Sequence, residues 1–259
     1  MSASTSGKIA FRISDSIMTF SIVAHCPRTG MLGVAVATAV PAVGSMCPYV
    51  KAGIGAVSTQ SWVNPYLAID ALRLMQQGKS GPEALDAVMA KDEGRDLRQI
   101  GVVDVHGRSA AWSGKACTDW FGQIVEPHFA AQRNMLVSAP TIDAMARAFR
   151  DSDGQDLAER LMRALEAGDA AGGDKRGRQS ASLMVHHTED YPLIDLRVDE
   201  HHHPVAELRR VLTIARLQLQ PFVEGMPKKG GAGAPAPDSV VEMLALPPPE
   251  RPGGGGSAP

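Results

Sequence analysis

Residues 18–40 read MTFSIVAHCPRTGMLGVAVATAV. Phe20, Ile22 and Ala24 alternate with Thr19, Ser21 and Val23, the two-residue period of a strand with one face on a core. Pro27, Arg28, Thr29 and Gly30 supply a turn, because proline presets one backbone angle and glycine frees another. Met31 to Val40 continues in small and β-branched residues as a second strand. The pair reads as an antiparallel hairpin. Residues 1–18 before it are serine-rich and unpatterned, and read as a leader outside the domain.

Downstream, Ala52 to Gln60 is a further strand rich in glycine and alanine, which lets another layer or a ligand approach its backbone. Asn64-Pro65 opens a helix and Gly78 closes it. Ser80 and Glu83 form a capping box for the next helix. Ile100 to Gly114 reads as two strands about a turn at His106-Gly107. Two amphipathic helices follow, one carrying Ile142, Met145 and Phe149, the other Leu157, Leu161 and Leu165. Ser180 to His187 and Pro192 to Val198 are strands, and Leu208, Val211 and Leu212 mark a last helix. Strands and paired helices in this order do not make a doubly wound parallel sheet. They make an α+β fold, with antiparallel sheets stacked between helical layers. The expected domain is 19–224, and the Pro/Gly-rich 225–259 is expected to be mostly disordered, with Val240 to Leu246 as an apolar island.

The chain has 259 residues, 26 basic and 28 acidic, for a net charge of −2. That balance argues against a nucleic-acid or anionic-membrane binder. No apolar run reaches transmembrane length, and the first residues lack the apolar core of a secretory signal. Three widely spaced cysteines, Cys26, Cys47 and Cys117, fit a reducing compartment rather than a disulfide framework. The expectation is a cytoplasmic protein without membrane or nucleic-acid partners. Small-residue strands leave room for a homo-oligomer.

No phosphate-binding loop, zinc-protease motif or serine-hydrolase elbow appears. The stretch GGDKRGRQSASLMVHH from Gly172 crowds Asp174, Lys175, Arg176, Arg178, Gln179 and Ser180 into a loop that enters a strand. Such a loop either presents its charges to a ligand or pairs them locally. The run Asp199 to His203, with Asp195 nearby, resembles a metal cluster. Adjacent residues rarely converge on one ion, and spaced partners are lacking, so no metal and no cofactor are assigned.

TFSIVA, LGVAVAT, AGIGAVSTQ with NP, RQIGVVD, GGDKRGRQSASLMV and DLRVDEHHHPVAEL occur in this order. Together they resemble the DUF1028 family over about residues 19–220. The resemblance implies the fold of the N-terminal-nucleophile (Ntn) hydrolases, a four-layer αββα sandwich. It also implies a chemistry. In such enzymes the first residue of the mature chain is the nucleophile, and its own α-amine, with an ordinary pKa of about 7.7–8.0, takes the proton. Thr19 fits if residues 1–18 are removed, by trimming after a start at Met18 or by self-processing. If they stay, Thr19 is a strand residue with good β propensity. By the same analogy Lys51 is a candidate to lower the nucleophile's pKa, or a solvated lysine at a strand start. Gln60 and Asn64 are candidate oxyanion or substrate contacts, Asn64 serving equally as an N-cap. Asp174 and Ser180 would orient the amine and nucleophile, and Arg176, with Gln179, would hold a substrate carboxylate. The implied activity is hydrolysis of an amide bond in a small or peptide-like compound. The alternatives are a non-catalytic binding or assembly protein on this fold, and a metal-dependent enzyme using Asp195 to His203.

Overall fold

The opening hairpin forms as its alternation predicts. β1 (Thr19–His25) pairs with β2 (Leu32–Thr38), Thr19 opposite Thr38 and His25 opposite Leu32. The computed structural model describes residues 19–117, 121–134, 140–172, 177–231 and 235–257. β2 continues to β9 (Ser180–His186) and β10 (Ile194–Val198), and β1 to β8 (Phe129–Asn134) and β7 (Phe121–Glu126). β1 and β2 therefore lie at the centre of a six-stranded antiparallel sheet.

The second sheet has the order β3 (Pro48–Lys51), β4 (Gly55–Ser61), β5 (Arg98–Asp104), β6 (Ser109–Ser113). Where the sequence predicts one strand over Ala52 to Gln60, the structure has a hairpin that turns at Gly53, whose φ of 66° favours glycine.

Helices cover both outer faces. α1 (Pro65–Gln76) and α2 (Gly81–Met89) bury Leu67, Leu72, Leu85 and Val88 against Val57, Ile100 and Val102 of the second sheet. The capping box is present: Ser80 N donates to Glu83 Oε2 at 2.8 Å, and Glu83 N to Ser80 Oγ at 3.3 Å. On the first sheet, α3 (Pro140–Asp151), α4 (Leu157–Ala170) and α5 (Pro204–Gln218) cover Phe20, Ile22, Leu183 and Leu196. Gly33 permits this approach: a Cβ there would lie 2.7 Å from Leu161 Cδ1 and 2.8 Å from the Met184 carbonyl. Each buried leucine contributes about 1.5–3 kcal/mol. The result is the expected αββα sandwich.

The β7–β8 hairpin was not legible in the sequence. β8 reads FAAQRN, and Gln132, Arg133 and Asn134 are buried, so its burial leaves no apolar alternation to read. The C-terminal segment also departs from its composition. α6 (Gln220–Gly225) is followed by α7 (Asp238–Ala245), with Val240 buried. Gln218 Nε2 donates to the carbonyls of Pro252 and Gly254, each at 2.9 Å. Arg251 donates to those of Leu246 and Leu244 at 2.9 and 3.1 Å. A short apolar island thus suffices for two helical turns, anchored by side chains that satisfy the backbone around it. Among the described residues, no helix is long and apolar enough to cross a membrane.

At the end of β5, Asp104 ties strand, turn and helix together. Its Oδ1 accepts from the N–H groups of His106 and Arg108, and its Oδ2 from Gly81 N and Arg108 Nε. Burial pushes the carboxyl up, but these donors outweigh it and hold it below its ordinary value. A depressed folded pKa means stability that is present above the unfolded value of about 3.9 and lost as pH falls through the folded one. Asp104→Asn is therefore expected to cost about 2 kcal/mol at neutral pH. In urea titrations, its gap to the parent should close only as pH drops below about 4. A gap independent of pH would show that the carboxylate charge is not what stabilises.

Candidate functional site

The two sheets face each other across a layer whose character changes along its length. At one end Val23, Leu32, Val34, Ala56, Val103 and Ala130 pack together. At the other, the same strand faces present Thr19, Ser21, Thr38, Gln60, Gln99 and Asn134, all buried. Buried polar groups need partners, and these find each other. Ser21 Oγ donates to Gln60 Oε1 at 2.7 Å. Gln60 Nε2 donates to Gln99 Oε1 at 2.6 Å and to the Thr19 carbonyl at 3.2 Å. Gln99 Nε2 donates to Ser113 Oγ at 2.8 Å and the Arg133 carbonyl at 2.9 Å. Thr19 closes the network: its N–H donates to Asn134 Oδ1 at 3.0 Å, and its Oγ1 lies 3.0 Å from Thr38 Oγ1.

Above this end is a cleft of about 330 Å³ with Thr19 and Thr38 among its lining residues. One wall is Val40, Pro41, Val43, Met46 and Cys47; the other is Ser61, Trp62 and Val63. Ala42 and Ser61 take left-handed φ values of 55° and 66°. Non-glycine residues in that region cost about 1–3 kcal/mol each, and such strain clusters at functional sites. Cys47 is a poor nucleophile here, since burial pushes its thiol up to about 12.

The structure brings only some of the sequence candidates to this place. Gln60 lies directly behind Thr19, and both ends of its amide are engaged within the protein. It is a strut that holds the Thr19 carbonyl rather than a group facing the cleft. Ser180 stands opposite Thr38 in the β2–β9 register. Its Oγ donates to the Val40 carbonyl at 2.6 Å and accepts from Val43 N at 3.0 Å, bracing one wall. Gln179 holds the adjacent strand end, its N–H donating to the Thr38 carbonyl at 2.8 Å.

Lys51 is elsewhere. β3 runs antiparallel to β4, so Lys51 pairs with Gly55, while Gln60 lies five residues further on in β4, a distance of about 16 Å along the strand. Its Nζ donates to Gln76 Oε1 at 2.8 Å. Asn64 caps α1, accepting from Tyr66 N at 3.1 Å. It borders a separate groove of about 350 Å³ between α1 and α2. Asp174 and Arg176 lie outside the described residues. Arg178, from the same loop, pairs with Asp169. The metal-like run does not converge: Asp195 is exposed, Asp199 pairs with Arg197, and His201 Nδ1 accepts from His203 N. Among the described residues, no three His, Cys, Asp or Glu side chains are grouped to hold a metal ion.

Sequence reasoning missed Thr38, Gln99 and Asn134. Thr38 had a signal, because counting back from the turn over Pro27 to Gly30 sets Thr38 opposite Thr19. Asn134 had none, since it lies 115 residues away on a strand that was not recognised.

Comparison with known proteins covers this same frame. A family model described as "Family of unknown function (DUF1028)" matches residues 19–208. Among solved structures, protein SPO2555 of the DUF1028 family, from Silicibacter pomeroyi, is similar at 29% identity with a TM-score of 0.75. That match covers 82% of this chain and 95% of that one. Anbu (ancestral beta-subunit) from Yersinia bercovieri covers 81% of this chain and 99% of its own. Its 11% identity and TM-score of 0.36 are too low to carry an argument. No curated protein matches. The matched span takes in both sheets and the Thr19 network, and the chain belongs to the DUF1028 family.

Proposed function

We propose that this chain is an amidohydrolase of the N-terminal-nucleophile type, with Thr19 as the nucleophile once residues 1–18 are removed. The observation that carries this reading is the setting of a single residue. Thr19 borders the cleft, its nitrogen is held by a side-chain acceptor on Asn134, and its hydroxyl is held by Thr38. Removal of the leader would turn that nitrogen into an α-amine beside its own hydroxyl. With an ordinary pKa of about 7.7–8.0, such an amine is partly neutral near pH 7 and can act as a base.

In this mechanism, Thr19 Oγ1 attacks the amide carbon as its proton passes to the α-amine. The carbonyl oxygen takes the electron pair. Collapse breaks the C–N bond, and the ammonium gives its proton to the leaving nitrogen. An ester on Thr19 remains. Water attacks that ester with the amine again as base, releasing a carboxylic acid and restoring the hydroxyl. One amide and one water become one acid and one amine. The substrate is a small or peptide-like amide, and the balance needs no other reactant.

A second reading has its own support, because Thr19 is only 3% exposed and its N–H is already satisfied. A chain that retains its leader has a peptide N–H there, with no lone pair to take a proton. It would then be a ligand-binding or assembly protein on the same fold. Intact mass and N-terminal sequencing of protein made from the native gene separate the two. The expected result is a mature chain that begins at Thr19 and cleaves amides. A retained leader in protein that still cleaves amides would overturn the mechanism.

A further inference from the structure

We propose that the cleft beside Thr19 seats an uncharged, apolar substituent of the amide, so that neutral acyl groups are accepted and acidic or basic ones rejected. This builds on the reading of Thr19 as the nucleophile and adds the class of group held next to it. Apart from Ser61 and the Cys47 thiol, the walls are apolar side chains: Val40, Pro41, Val43, Met46, Trp62 and Val63. Among the described residues, no Lys, Arg, Asp or Glu lines the cleft. The hydroxyls of Thr19 and Thr38 are bonded to each other, and the Cys47 thiol stays protonated at neutral pH.

Among the described residues, two nearby cations are committed elsewhere. Arg98 donates Nη1 to the Trp62 carbonyl at 2.7 Å and pairs with Asp92 at 2.8 Å. Arg197 pairs with Asp199 at 3.1 Å. A carboxylate or ammonium entering between these walls would lose its water and find no described counter-ion. An apolar group loses nothing comparable and is driven in by burial.

The cleft is also pre-formed. Ser180 Oγ bridges the Val40 carbonyl and Val43 N, which holds the turn at left-handed Ala42 in place. Gly44 packs so closely that a Cβ there would lie 2.7 Å from Arg197 Cγ and 2.8 Å from Ser182 Oγ. A volume of about 330 Å³ sits at the small end of ligand pockets, so the group is a short chain or a single ring.

The test is equilibrium binding of three matched amides: hexanamide, 6-aminohexanamide and the monoamide of adipic acid. Trp62 lines the cleft and is 48% exposed, so its fluorescence reports occupancy, with Trp62→Phe identifying its share of the signal. Hexanamide is expected to saturate, and both charged homologues to bind at least about tenfold more weakly. Met46 lies at the rim and is 39% exposed. Met46→Asp should reverse the order between hexanamide and the ammonium amide. A charged amide that binds the parent as tightly as hexanamide, or a folded Met46→Asp that leaves the order unchanged, overturns the proposal. If that variant does not fold, the amide series on the parent decides alone. Hexanamide bound but never cleaved by a chain starting at Thr19 counts against the hydrolase reading and leaves the pocket standing. Faster cleavage of the charged amides removes the pocket and leaves the nucleophile.

Discussion

Thr19→Ala is expected to lower kcat/KM for any amide this chain cleaves by on the order of a thousandfold or more. The loss should fall on kcat, because alanine removes the attacking oxygen and leaves the cleft walls in place. The fold should survive. The Asn134 contact is made by the backbone nitrogen and persists. Only the buried hydroxyl pair with Thr38 is lost, which costs about 1 kcal/mol. Thr19→Ser keeps an Oγ and should keep measurable turnover. Blocking the α-amine with one retained methionine should remove activity with the oxygen still present. Steady-state kinetics beside a thermal melt reads all three. Full activity in a well-folded alanine variant would sink the mechanism.

Gln60→Leu is expected to destabilise the protein by about 3–5 kcal/mol, because three buried partners lose a hydrogen bond together. Leucine has similar bulk but no amide, so it removes a hydrogen bond from the Thr19 carbonyl, Gln99 Oε1 and Ser21 Oγ at once. For a domain of this size that corresponds to a Tm lowered by roughly 10 °C. Activity should fall through kcat, since the Thr19 backbone loses one of its holders, while KM changes little. Differential scanning calorimetry and a KM-against-kcat comparison separate this from direct substrate contact. A raised KM at unchanged Tm would return Gln60 to the substrate-binding role its position in the sequence first implied.

These two residues show how far sequence reasoning reaches here. Alternation marked Thr19 as the first residue of a strand, but its register against Thr38, which the turn over Pro27 to Gly30 implies, emerged only from the structure. Ser80 and Glu83 were readable as a capping box because both partners lie within one helical turn. Gln60 was visible as a strand-end polar residue, but whether it faced a ligand or the opposite sheet was not. Lys51 and Gln60 both belong to the β3–β4 region, yet antiparallel pairing sends them to opposite ends of it. A chain read as one strand conceals that reversal.

Hydrophobic period, turn chemistry and helix caps are local, acting over a few residues, and from them alone the layered α+β architecture and the start of the first strand at Thr19 could be deduced. The polar end of the inter-sheet layer was decided only by tertiary structure. Thr19, Gln60, Gln99 and Asn134 come from four strands in two sheets. Each is a polar residue whose burial is tolerable only because the others meet it there. Hydrogen bonds of that kind join atoms as much as 115 residues apart. No local pattern records them, because it is the stacking of one sheet on the other that brings the partners within reach.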